Sequence, residues 1–396
     1  MKKKQEAKKA ENEKGKAVVS PWMKTLRNAV LLLLLAAIGF TLYTYRGEIT
    51  TENLRQFFAD IRLFADKDGE DVPVQFPASS SNRFASFQNG LVLASGDKVS
   101  LFSSSGTERM STDLSLSSPM LFTSEKYVFA FSLGGTQVSV IDSLSVSRTL
   151  TSDLPIYGGA FDNKGGLVLI NESSTGQSSC VTLYDSRFRQ LWRQNFSNRF
   201  VSSADVNDRG ECAVAAYDVS NGNFVSQILC YSAKGEQLFS LFLSDLLVLQ
   251  LEYLAGGELL VIGENRALVL NASNGTEISA ADYRTYRIKN IRSSRQGVAL
   301  TLELGDIAGR GRIICIDSQG NLAADLMLNH TPVDALWNGK NAYVLGLGTC
   351  HCYETDGTRL PDLDTTADAT ALLPVSDTSF YIIHANHAKK VVVSAK

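Results

Sequence analysis

The sequence predicts an all-β protein: a β-propeller of eight four-stranded blades, preceded by a transmembrane helix and a short amphipathic helix. Three observations carry that expectation. After residue 70 a strand, tight turn and strand recur about every forty residues, a period typical of repeat arrays. A second apolar strand stands ahead of each such hairpin. Gly, Asn, Asp and Ser bound these strands, as the turns of all-β proteins require.

The unit is clearest in QILCYSAKGEQLFSL, residues 227–241. Its turn recurs near Gly106, Leu144, Arg187, Gly235, Gly275, Gly320 and Gly357, at spacings of 38, 43, 48, 40, 45 and 37. The preceding apolar strands begin at Gly90, Tyr127, Gly166, Glu211, Glu258, Gly297, Asn341 and Phe380, and these number eight rather than seven. Four short strands per unit of this length make a propeller blade. The eighth unit, with strands near Ala369–Pro374, Phe380–His384 and Lys389–Val393, lacks an outer fourth strand. At the other end of the domain Val72–Phe76 is a spare strand. Pairing the two closes the ring and hides both edges, which favours eight blades. Seven follows instead if one weak unit is not a separate blade.

Residues 1–28 form a basic tail of net charge +6, too charged and too poor in apolar residues to support a core. The rival reading of the tail as a nucleic-acid arm is disfavoured by the apolar segment that follows directly. Ala29–Tyr45 carries no charged residue and reads as a membrane span, with Tyr43 and Tyr45 placed as an aromatic belt. A cleavable signal peptide is the alternative. The long charged flank and the bulky TLYTYRGE, without a small-residue cleavage site, favour an uncleaved anchor. The positive-inside rule then puts the tail in the cytoplasm and the remainder outside.

Residues 46–71 form a juxtamembrane helix and linker. Leu54, Phe57, Phe58, Ile61 and Phe64 fall on one helical face, with Thr51 as N-cap. Such a helix serves as a stalk packed on the propeller or membrane surface, or as a dimerisation helix. Residues 72–396 are the propeller. Beyond the tail the chain has net charge −9, which excludes a nucleic-acid binder of the usual basic type.

The D-S-x-G and N-G-T turns after apolar strands, best seen in ICIDSQGNL (314–322) and LVLNASNGTEI (268–278), resemble repeats of the quinoprotein-like (WD40/PQQ-like) propellers. With the N-terminal anchor, roughly residues 20–396 resemble bacterial single-pass membrane proteins bearing such an ectodomain, a family without an assigned activity. Enzymatic quinoproteins carry a Trp-bearing docking motif in each blade. This chain has only Trp22, Trp192 and Trp337, so the resemblance implies the fold and not quinone chemistry.

Candidate chemistry is sparse. Cys230, Cys315, Cys352 and Cys350 occupy apolar slots of third strands and read as buried thiols, as small hydrophobes do. An even count of six outside the membrane also permits disulfides, and Cys212 with Cys230 is the best-placed pair, nearly opposite across a hairpin. In Cys350-His351-Cys352, strand alternation puts both sulfurs on one face and the imidazole on the other, so the three do not converge on a metal. His384 and His387 read as turn residues. AGRGR (308–312) reads as a solvated hairpin rather than a phosphate cradle. Asp205, Asp208, Asp362, Asp364 and Asp368 read as turn residues rather than paired acids or calcium ligands. The N-x-[ST] sequons at Asn171, Asn195, Asn271, Asn274 and Asn329 follow from turn-rich composition.

No catalytic, cofactor-binding or metal residue is assigned, and no cofactor is implied. The expectation is a non-catalytic module outside the plasma membrane, anchored through Ala29 to Tyr45, that holds a protein or cell-envelope partner on one rim or in its channel. The alternative is an enzyme or a small-ligand or glycan sensor whose site lies in the axial funnel, assembled from one residue per blade.

Overall fold

The computed structural model describes residues 72–173, 178–220, 222–305 and 309–393. The basic tail, the apolar segment Ala29–Tyr45 and the helix expected over 51–64 lie outside the described residues. Among the described residues no helix is long and apolar enough to cross a membrane.

The described residues form thirty-two strands in eight four-stranded antiparallel sheets. In blades 1 to 7 the four strands follow chain order from the axis outward. Blade 4, for example, is built from Phe200–Val206, Cys212–Ser220, Asn223–Tyr231 and Gln237–Ser244. The first strand of each blade lies beside first strands of neighbouring blades and so lines the axis. Blade 8 takes Ala371–Ser376, Ser379–Ile383 and His387–Val392 from the C-terminal end and receives Val74–Gln75 as its outermost strand. Val74 pairs with Ala388 and Gln75 with His387, and Phe76 N–H donates to Asn386 O at 2.9 Å. The spare N-terminal strand therefore closes the ring, as its sequence position implied.

Packing follows from the period-2 alternation of side chains. Leu91 and Leu93 face blade 8, whereas Val92 and Ala94 face blade 2. Every blade thus supplies apolar residues to both neighbours, and among the described residues eight buried clusters fill the eight interfaces. No single core is needed for so large a domain.

The repeated turn has a conformational requirement. Gly235 has φ of 84° and donates its N–H to Ser232 O at 2.9 Å, closing the bend that returns Ser232 to Glu236. Gly106, Gly320 and Gly357 repeat this geometry. In blade 3 the left-handed position is Phe188 (φ 60°), one residue beyond the Arg187 marker. Its ring packs on Tyr127 and Phe129 at 5.7 and 5.9 Å, which compensates a conformation costly for a residue with a Cβ.

Candidate functional site

Antiparallel order puts the inter-blade connections and the turns between second and third strands on one face of the ring, here called the upper face. The remaining turns form the lower face. Two features stand out: a polar channel wall, and an apolar region on the upper face over blades 3 to 5.

The innermost strand of each blade has one edge with no ladder partner, so its amides need other acceptors. Side chains of the preceding blade supply several. Ser203 Oγ accepts from Leu251 N–H at 2.9 Å and Asp205 Oδ2 from Tyr253 N–H at 2.6 Å, joining blade 4 to blade 5. In blade 5 Glu252 Oε2 accepts from Gln250 Nε2 at 3.2 Å and, by a short bond, from Ser293 Oγ of blade 6. Asp334, fully buried at the start of blade 7, joins three blades. Its Oδ1 accepts from Asn290 Nδ2 (2.7 Å) and Ala335 N–H (2.9 Å). Its Oδ2 accepts from Arg292 Nη2 (2.7 Å) and Leu372 N–H (2.8 Å).

Burial pushes Glu252 up to about 7. Burial, with the charge of Glu252 added, pushes Asp205 up to about 8. A raised carboxyl pair in a channel is a chemical handle that Asp334, with its four donors, is not. None of these residues stood out in the sequence as a set. Asp205 was expected in a turn but lies in the strand Phe200–Val206, and Asp362 and Asp364 lie in the outermost strand Arg359–Asp364 of blade 7. Only a charged residue inside an otherwise apolar strand, as in LQLEYL or PVDALW, signalled them.

The upper-face region is built on blade 4. Its two middle strands have nine residues each, and Phe200 pairs with Tyr217 while Ser244 pairs with Val225. The hairpin tip therefore projects past both neighbouring strands. Val219 (56% exposed) and Phe224 lie on the tip and share the sheet face turned toward blade 5 with Phe200 (55%), while Phe242 (56%) is exposed on the opposite face, toward blade 3. Tyr217 sits between Phe200 and Phe224 with centroids 5.9 Å from each, and Arg199 caps Phe242 at 5.2 Å. Val219, Phe224 and Phe200, apolar and exposed on one face of a projecting hairpin, mark an interaction surface.

The remaining sequence candidates resolve as follows. All six cysteines are buried free thiols. Cys212 pairs with Tyr231 and Ala213 with Cys230, so the favoured disulfide pair is out of register by one residue. One residue in a strand is one face of the sheet: Cys212 faces blade 3 and Cys230 faces blade 5. The pairing is thereby corrected. Burial pushes the Cys230 thiol up to about 12 and Cys212 well above its ordinary value, which keeps both unreactive. We expect no thiol to react with a disulfide reagent in the folded chain and all six to react after denaturation. A native reaction of two or more contradicts this burial.

Cys350 and Cys352 do point into the interface of blades 7 and 8, while His351 turns away to His330 (centroids 4.7 Å) and Asp362 (3.1 Å). AGRGR begins outside the described residues. Its Arg312 is held by Asp325 and by Asp282 O, not free for a phosphate. Asn171 is buried, with its amide nitrogen near Ser152, Leu154 and Pro155, so this sequon is inaccessible. His384 was read as a surface-turn residue, yet its ring is buried, and Asp368 and His387 lie against it.

Solved structures of the same shape include BamB from Moraxella catarrhalis (TM-score 0.54, 10% identity, 81% of this chain and 99% of that one). Others are the C-terminal WD40 domain of Sif2 (0.57, 10%, 82% and 97%) and a quinohemoprotein alcohol dehydrogenase from Pseudomonas putida HK5 (0.55, 10%, 85% and 80%). At such identities the likeness is one of fold. The two described tryptophans sit in non-equivalent places, Trp192 in an outermost and Trp337 in an innermost strand, so no blade-by-blade Trp motif is present among the described residues. No curated protein matches the chain by sequence. A family profile matches residues 71–393, and the chain therefore belongs to that family, a family of unknown function designated DUF5711.

Proposed function

We propose that the chain is a non-catalytic interaction module, a propeller held outside the plasma membrane by Ala29–Tyr45 with its N-terminus cytoplasmic. A cell-envelope protein presenting an apolar segment seats on the upper face over blades 3 to 5. The projecting hairpin of blade 4, with Val219, Phe224 and Phe200 exposed on its face toward blade 5, is the observation that carries this reading. The uncharged run behind a basic flank supports the anchor. Replacing Phe200 and Phe224 by Ser removes exposed apolar area and leaves every blade interface intact. Interface anchors of this kind are worth ~2 kcal/mol, so capture of the partner from native membranes should fall about thirtyfold. Unchanged capture with the ring still folded rules out this face.

The raised pair Asp205 and Glu252 supports a second reading, in which the channel holds a small polar ligand such as a glycan or an organic cation. A thermal shift with such a ligand that disappears in Glu252→Gln, and persists in the Phe200/Phe224 variant, selects this reading over the first.

A further inference from the structure

Where the ring closes, the turn between the second and third strands of blade 8 carries His384 and His387, and the connection from blade 7 carries Asp368. One ligand atom from each of the three lies within 4.8 Å of the others. The two segments are fixed to one another: Thr370 N–H donates to Ile383 O at 2.8 Å, and His384 N–H to His387 O at 2.8 Å. His384 is buried, His387 partly so, and Asp368 faces solvent.

The hydrogen bonds around these three side chains leave lone pairs for an ion. Asn386 Oδ1 accepts a hydrogen bond from His387 Nδ1–H at 3.0 Å, which leaves the lone pair on Nε2. Asp368 Oδ1 lies 3.2 Å from His384 Nδ1, the separation expected of two donors sharing one ion at bonds of about 2.0–2.2 Å. The imidazole rings are stacked, with centroids 4.2 Å apart and planes 4° from parallel, so a shared ion requires the partly buried His387 ring to turn out of the stack until its in-plane lone pair meets that of His384. Thr366 Oγ1, 2.9 Å from His384 Nδ1, is the group an ion displaces.

We infer that Asp368, His384 and His387 bind one divalent transition-metal ion, with zinc the best match. Two imidazoles and a carboxylate suit zinc and its neighbours rather than calcium or magnesium, which take all-oxygen shells. Three protein ligands leave a fourth position for water. The equivalent place in blade 7 has Gly346 and Thr349, joined by the same turn hydrogen bond at 2.8 Å, in place of His384 and His387, so the turn does not itself require the histidines. The site adjoins the closure itself, since Gln75 pairs with His387 and Phe76 N–H donates to Asn386 O. A bound ion therefore ties the blade 7–8 connection to the turn that receives the N-terminal strand, and stabilises the closed ring. This inference is independent of what the upper face or the channel binds.

The test is calorimetric titration of the chelator-stripped full-length chain with zinc chloride, alongside absorption spectra with cobalt chloride. Wild type should bind one equivalent, show cobalt bands in the visible range, and melt about 5 °C higher at a hundredfold excess over Kd. Asp368→Asn, a solvent-exposed change, and His387→Ala should each weaken zinc more than about a hundredfold, beyond the loss of an outer-shell partner, and leave the metal-free melting point in place. The inference is overturned by no binding at about 100 μM zinc. It is equally overturned by unchanged binding in both variants, which would put the ion elsewhere.

Discussion

Replacing Asp334 by Ala should cost about 3–5 kcal/mol, because it strands the Arg292 guanidinium beside an emptied buried site and removes the acceptor of three further donors. Those donors belong to blades 6, 7 and 8, so the loss loosens two interfaces at once. Arg292→Met should cost less. It leaves Asp334 with Asn290 and two backbone amides, and charge-assisted bonds to a carboxylate are the strong ones. Urea denaturation of the two variants checks the order. Equal costs, or a cost below about 1 kcal/mol for Asp334→Ala, would show that the carboxylate is not the hub the geometry describes.

Raising the pH from 5 to 9 should destabilise the ring through Glu252 and Asp205. Both carboxyls are held above their ordinary range, at about 7 and about 8, so the folded chain binds these protons more tightly than the unfolded chain does. The stability they contribute is fully present below the ordinary carboxylate range and is lost as pH rises through 7 and 8. Because both groups reach the solvent-lined channel, the combined loss is on the order of 2 kcal/mol. Glu252→Gln with Asp205→Asn keeps an acceptor for Ser293 and Tyr253 and should flatten that decline. His330 and His387, held below the ordinary imidazole range by burial and a neighbouring imidazole, have the opposite sign. They contribute stability that is lost as pH falls below their ordinary range, in wild type and variant alike. Melting temperatures of the two chains across pH 5–9 isolate the carboxyls. Parallel curves would mean that both are ionised in the folded ring throughout.

Much of the architecture was legible because it is periodic. The positive-φ glycines of the turns, the alternating strands and the spare Val72–Phe76 each state a local requirement, and together they specify eight blades and their closure. Cys350 and Cys352 read correctly as interface residues for the same reason: alternation is a local rule. The Cys212–Cys230 pairing failed because register within a hairpin must be known to the single residue. Turn composition alone does not fix whether Cys212 meets Cys230 or Tyr231. The channel residues were illegible for a different reason. Ser203, Asp205, Glu252 and Asp334 matter because innermost strands expose an unpaired edge toward the axis, and only closure of the ring brings one blade's side chains to the next blade's amides. His384 was misplaced likewise, since its burial depends on the connection carrying Asp368, contributed from sixteen residues earlier in the chain.

The most direct test of the upper face as the binding surface is a photo-reactive residue introduced at Phe224, compared with one at Ile278, which is more exposed but lies on the outer rim at the lower end of blade 5. Each full-length chain is irradiated in its native membrane. The account predicts a discrete protein adduct from position 224 and none from 278. An adduct from 278 alone, or no adduct from 224 while a small ligand protects the channel, would contradict it.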